Sequence, residues 1–247
     1  MADIASETAL QRLKSLYPYG QVTSSSNVIQ NPWYIIVLVS FSFGNRPEAV
    51  PHLFKYVLGD LEHAQNQFKV PAPEANREKL LLARRFRDAI FKGGIVGGYS
   101  MAINALVSLL EATPEELRDT ERQRDTGSSL PELENRGEVF FRALYGETAD
   151  GVQSLLDKIY PDMGWFSNTI AYGSVYGHTE TLNQLETSYV LVGSLIAVDT
   201  PRQIAWHLAN ARRGGSSLEQ ARAIRQIAIK ASQSAGVKWR NDVPEVK

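Results

Sequence analysis

Cysteine is absent from the 247 residues. Its absence excludes disulfides, thiolate nucleophiles, thiol redox chemistry and cysteine-ligated zinc. Histidine is scarce, at four. His52 and Glu48 are four apart, but Pro51 between them disfavours a regular helix there, so no metal site is expected. Net charge is nearly nil: 26 basic residues against 27 acidic leave a formal −1. No whole-chain electrostatic footprint for nucleic acid or an anionic membrane exists, and neither is expected as a partner. Long apolar runs are missing too. The longest, "WYIIVLVSFSFG" from Trp33 to Gly44, falls short of the ~20 residues a membrane helix needs. The N-terminus carries Asp3 and Glu7 without a long apolar run, so it does not read as a secretory signal, and a cytoplasmic location is expected.

Strand-type alternation is also lacking; what is there is helical. "LFKYVLGDLEHAQNQF" (Leu53–Phe68) and "EKLLLARRFRDAIFKGG" (Glu78–Gly94) space apolar residues three and four apart. "SMAINALVSLLEA" (Ser100–Ala112) is apolar nearly all round and is expected to be buried. "TPEEL" at Thr113 is a capping-box start. From Leu117 to Arg136 the chain is polar, charged and broken by Gly and Pro, and reads as a linker. Beyond it, "ADGVQSLLDKIYPDMGWF" (Ala149–Phe166) is a helix ending near Pro161. Gly214–Gly215 stops a helix, and Ser216 with Glu219 forms a capping box for the last one.

The two halves match each other. "YIIVLVSFSFGNRPEAVPHLF" from Tyr34 overlays "YVLVGSLIAVDTPRQIAWHLA" from Tyr189 without a gap. The tyrosines and the histidines His52 and His207 each lie 155 apart (189 − 34 and 207 − 52), while Pro47 and Pro201 fall one position out of step. This predicts two tandem repeats, residues 1–116 and 137–247, joined by the polar linker 117–136.

The stretch Tyr172–Val237 resembles the carboxymuconolactone decarboxylase family, within the alkylhydroperoxidase D-like fold. The resemblance rests on a leading "YG", a helix–turn–histidine, the "ARRGG" run, a Ser-x-x-Glu start and a closing "AGV". Trp33–Leu110 shows the pattern more loosely, with His52 and "GGYSMAINAL". The resemblance implies an all-α fold that oligomerises; the apolar helices at Trp33–Phe43 and Ser188–Val198 are the expected interface of a homo-oligomer, dimer or trimer. Where the family's peroxidase branch carries Cys-x-x-Cys, Thr200 and Gln203 stand here, so thiol peroxidase chemistry is excluded. The arginine usual in the decarboxylase branch, near Thr187 here, is missing.

The expected activity is that of a cofactor-free lyase (decarboxylase) or isomerase on a small cyclic or aromatic carbonyl acid, of aromatic catabolism or secondary metabolism. Such chemistry needs a proton donor near neutral pH, which a histidine or a buried carboxylic acid supplies. His207, Glu219 and His52 are the catalytic candidates. His207 is expected to face an aromatic pocket, with Glu219 or a tyrosine in hydrogen-bond reach. Tyr172, Tyr176, His178, Tyr189 and Trp206 are candidates for binding the substrate. No cofactor is expected: "GGIVGG" (Gly93–Gly98) lacks the lysine and strand of a phosphate loop. The competing class is a non-catalytic oligomeric scaffold or binding protein that kept the fold and lost the chemistry.

Overall fold

The computed structural model describes residues 4–247; the first three, where the N-terminal repeat and the leader reading begin, lie outside it. All regular structure among the described residues is helical. The helices are α1 (Glu7–Lys14), α2 (Ser26–Gln30), α3 (Trp33–Phe43), α4 (Val50–Gln67), α5 (Ala72–Gly97) and α6 (Tyr99–Ala112), then α7 (Leu130–Tyr145), α8 (Ala149–Ile159) and α9 (Pro161–Trp165). A stretch of wide, π-helical turns, Phe166–Tyr176, follows, and then α10 (Gln184–Ala197), α11 (Pro201–Arg213) and α12 (Leu218–Ser234).

α3 and α10 lie side by side at the centre. Every residue of α3 is buried, as is α10 from Thr187 to Ala197. Helices this apolar all round fit only where neighbours cover every face. α5 and α12 each pack on both central helices, α4 covers α3, and α11 covers α10. The interface expected on α3 and α10 is therefore consumed within one chain. Gly193 lets the two approach: a Cβ there would stand 2.7 Å from Val39 Cγ2.

The turns leaving α3 and α10 share one geometry. Asn45 and Asp199 both adopt left-handed conformations, φ 57° and 55°. Arg46 (φ −124°, ψ 60°) and Thr200 (φ −116°, ψ 74°) follow. The Arg46 amide donates to Phe41 O and the Thr200 amide to Leu195 O, five residues back in each case. Asn and Asp tolerate this conformation because their short polar side chains bond locally. The spacing between these turns is 154 (199 − 45), matching the prolines rather than the tyrosines. Across it His207 falls opposite Leu53, and His52 opposite Trp206, so the two histidines are not counterparts.

Several elements differ from the sequence reading. The segment read as linker becomes helix at Leu130, where Ser129 and Glu132 form a capping box. Pro161 opens α9, because proline's fixed φ suits a first helical position. Thr113 does not cap the turn after it; its hydroxyl donates back to Leu109 O. The cap of α12 is Ser217 with Gln220, one residue beyond the expected Ser216–Glu219 pair. α6 is buried only along Ala102, Ala105 and Leu109, and its opposite face stands open.

Candidate functional site

α11 buries Ile204, His207, Leu208 and Ala211, one stripe at helical spacing, with Asn210 beside it. The stripe packs on α10 and, at His207, against α7, which presents Phe141 and Tyr145, four apart and so on one side of that helix. The wide turns after α9 add Tyr172 and Tyr176. Gly137 and Gly173 bring those turns against α7 so closely that a Cβ at either would collide with backbone carbonyls of the other segment. Where they converge, the Tyr145 hydroxyl lies 3.4 Å from His207 Nε2 and 3.1 Å from the Tyr172 hydroxyl. The Phe141 and Tyr176 rings stand edge-on to Tyr172, 4.9 and 5.1 Å away.

This cluster is polar, buried and uncharged. Burial alone pulls the His207 imidazolium down to about 4, so the ring is neutral at ordinary pH. Burial likewise raises the phenols of Tyr145, Tyr172 and Tyr176. His207 Nδ1, the Tyr176 hydroxyl and the Asn210 side-chain nitrogen are buried without a hydrogen-bond partner. Asn210 Oδ1 instead accepts from Arg213, at 3.0 Å. A proton carrier works best with a pKa near the operating pH and a route to its substrate. His207 is 5% exposed, sits well below neutrality and meets no carboxylate.

The structure brings together three of the sequence candidates, His207, Tyr172 and Tyr176, and scatters the others. Glu219 stands exposed in the first turn of α12 and takes no part in the cluster. His52 stands exposed near the start of α4. Trp206 is half-buried, and Ala205 and Ala209 face solvent, so they open no space beside His207. The Tyr189 hydroxyl donates to Ser216 Oγ at 2.9 Å, apart from the cluster. His178 lines a cleft of about 400 Å³ with Arg124, Arg136 and Glu180, which adjoins one of about 740 Å³ along α7 through Asp125, Arg136, Gly177 and Thr179. Neither cleft is lined by His207. Tyr145 was missed, although "FFRALY" places an aromatic four residues after Phe141.

A second buried group was missed altogether. α5 carries Arg85, Asp88 and Lys92 at i, i+3 and i+7, all buried. Arg85 grips the Glu186 carboxylate with both terminal nitrogens, one at 3.1 Å, and its Nε donates to the Tyr34 hydroxyl at 2.7 Å. Lys92 is fully enclosed: it donates to His178 O (2.7 Å) and Thr187 Oγ1 (2.9 Å) and pairs with Asp88 at 3.3 Å. Burial, only partly offset by Asp88, draws its ammonium down to about 8. Arg124 completes the set with Asp88 at 2.6 Å. The position near Thr187 that lacks an arginine in the sequence thus receives two cations from α5, both already spent on internal partners. No group of three or more histidine, aspartate or glutamate side chains suited to a metal ion occurs among the described residues, and no helix there is long and apolar enough to cross a membrane.

No known protein-family model matches the chain. It is similar to "Peroxisomal protein 2" of Saccharomyces cerevisiae, 26% identical over 261 residues, covering 87% of this chain and 92% of that protein. It is also similar to "Peroxisomal protein 2" of Schizosaccharomyces pombe, 26% identical over 215 residues, covering 85% and 90%. These relatives overturn two expectations. They are named for the peroxisome, against a cytoplasmic location, and their name carries no decarboxylase or isomerase activity. The lyase-or-isomerase reading is withdrawn on that finding.

Proposed function

We propose that this chain is a peroxisomal, non-catalytic binding protein built on two copies of a carboxymuconolactone-decarboxylase-like helical unit. The observation that carries the loss of chemistry is the state of His207. It is buried beside tyrosines, neutral down to about pH 4, hydrogen-bonded to no carboxylate among the described residues, and outside the clefts at His178 and along α7. The location comes from the names of the two relatives, each matched over most of both chains.

Duplication is supported by the matching turns after α3 and α10 and by reciprocal packing. Each central helix meets the other, its own following helix, and both α5 and α12. Self-association stays in the proposal but moves to α6, whose Tyr99, Ile103, Val107 and Leu110 lie 43–77% exposed along one stripe.

Two measurements test this reading. Immunofluorescence of the untagged chain should coincide with a peroxisomal marker; a diffuse cytoplasmic signal overturns the location. Side-chain NMR of His207 across pH 3 to 8 should give a midpoint near 4, unmoved by small carbonyl acids. A midpoint near the ordinary ~6.5, or a shift on adding such an acid, returns His207 to the surface of a working site.

A further inference from the structure

α8 and α9 meet at Tyr160, whose backbone is extended (φ −166°, ψ 118°). Val152 and Ala149 anchor α8 in the core. Gly164 seats α9 directly against the Asp157 carboxylate and the Gln153 amide, so the bend is preformed rather than loose. Beyond that anchor the chain exposes Ile159 (64%), Tyr160 (56%), Met163 (45%), Trp165 (49%) and Phe166 (38%) within a single stretch. Scattered apolar residues on a surface are ordinary; five large ones on one tip are not. Together they present roughly 500 Å², the size of a functional patch and less than the ~800 Å² a standard partner face buries. That area suits one helical segment better than a whole globular face.

The charges beside the tip say what kind of segment. Asp157 and Asp162 are exposed at the bend, with Lys158 between them, and Glu147 and Asp150 are exposed at the far end of α8. Asp150 pairs with Arg142 at 2.9 Å, whereas Glu147, Asp157 and Asp162 make no ion pair among the described residues. Unneutralised carboxylates attract cations and repel anionic lipid or nucleic acid. Aromatic faces also favour cations, through the ring quadrupole. Both features select the same chemistry.

We propose that the α8–α9 tip is a docking site for a basic, amphipathic helical segment of a partner protein, its apolar face on Met163, Trp165 and Phe166 and its lysines or arginines over the surrounding carboxylates. None of the residues of the His207 reading is used, so either proposal can fail alone.

The test uses the full chain and two fluorescent probe peptides of about eighteen residues, one of leucine and lysine, the other with glutamate for each lysine. The lysine peptide should bind and the glutamate peptide should not. Binding should weaken about tenfold or more between about 50 and 500 mM salt. Trp165→Ala with Met163→Ala should weaken it about tenfold or more. Asp157→Asn with Asp162→Asn should remove most of the salt dependence while leaving residual binding. All four residues are exposed, so the variants should keep wild-type helicity. Equal binding of both peptides, no binding of either, or wild-type affinity in the variants overturns the proposal. Sedimentation that shows self-association lost in Trp165→Ala reassigns the tip to a second copy, and binding of phosphatidylcholine vesicles lost in the same variant reassigns it to lipid; each result overturns the proposal.

Discussion

At the scale of single residues, His207 shows how a histidine becomes core. Its helix offers one apolar stripe to α10 and α7, and nothing in that stripe distinguishes a reactive ring from a packed one. The protonation state does, because its folded value of about 4 lies below the ~6.5 of an unfolded chain. Between those values the unfolded chain takes up a proton that the folded chain refuses. Stability from this residue is therefore complete above about pH 6.5 and is lost as pH falls towards 4, by on the order of 3 kcal/mol. His207→Gln should lack that loss. Urea unfolding at pH 7 and pH 4 should show wild type falling by a few kcal/mol more than the variant, and equal falls would refute the account. Arg85 makes the opposite point, a buried charge kept because the half-buried Glu186 carboxylate reaches it. Removing it alone in Arg85→Ala strands Glu186 and should cost about 3–5 kcal/mol, while Arg85→Met with Glu186→Gln should recover most of that. A double variant as unstable as the single one would show that shape, not charge, governs the site.

Elements were legible where periodicity had one reading. The helix spacing in Glu78–Gly94 is real, yet α5 runs from Ala72 to Gly97 and turns Arg85, Asp88 and Lys92 inward. A charged stripe at i, i+3 and i+7 looks the same in sequence whether it meets water or the half-buried Glu186 on another helix. α6 misled in the other direction: apolar all round by composition, it is covered on one side only. The partners that decide both cases lie far away in the chain, where local spacing carries no information. Contact between α3 and α10 was legible in outline, as two similar units each burying a face against the other, and the small residue that permits it, Gly193, was in view. Gly193→Ala should push a methyl into Val39, 2.7 Å away, and cost about 1–3 kcal/mol through overpacking. Val39→Ala in the same chain should relieve part of that cost. Chemical denaturation of the three variants checks the coupling; additive losses would mean the helices are not in contact there.

For the whole molecule, the likeness of the turns leaving α3 and α10 was readable because they are short and chemically particular: Asn45 and Asp199 are residues that tolerate a left-handed backbone. The one-residue slip that separates His52 from His207 was not readable, since two apolar helices overlay equally well at neighbouring registers. That slip leaves the two helix pairs alike at their turns and unlike in the side chains that follow. The first half ends in α6, whose only charge is Glu111 and whose open stripe of Tyr99, Ile103, Val107 and Leu110 continues through Leu106 towards Phe91 on α5. An uncharged stripe is self-complementary, the requirement for an isologous two-fold contact. Ile103→Lys with Val107→Lys would place four like charges across such a contact. Sedimentation velocity at micromolar concentration should show wild type as a dimer and this variant as a monomer, with unchanged helicity because both positions are exposed. A monomeric wild type removes self-association from the proposal, and a variant that still dimerises moves the contact off α6.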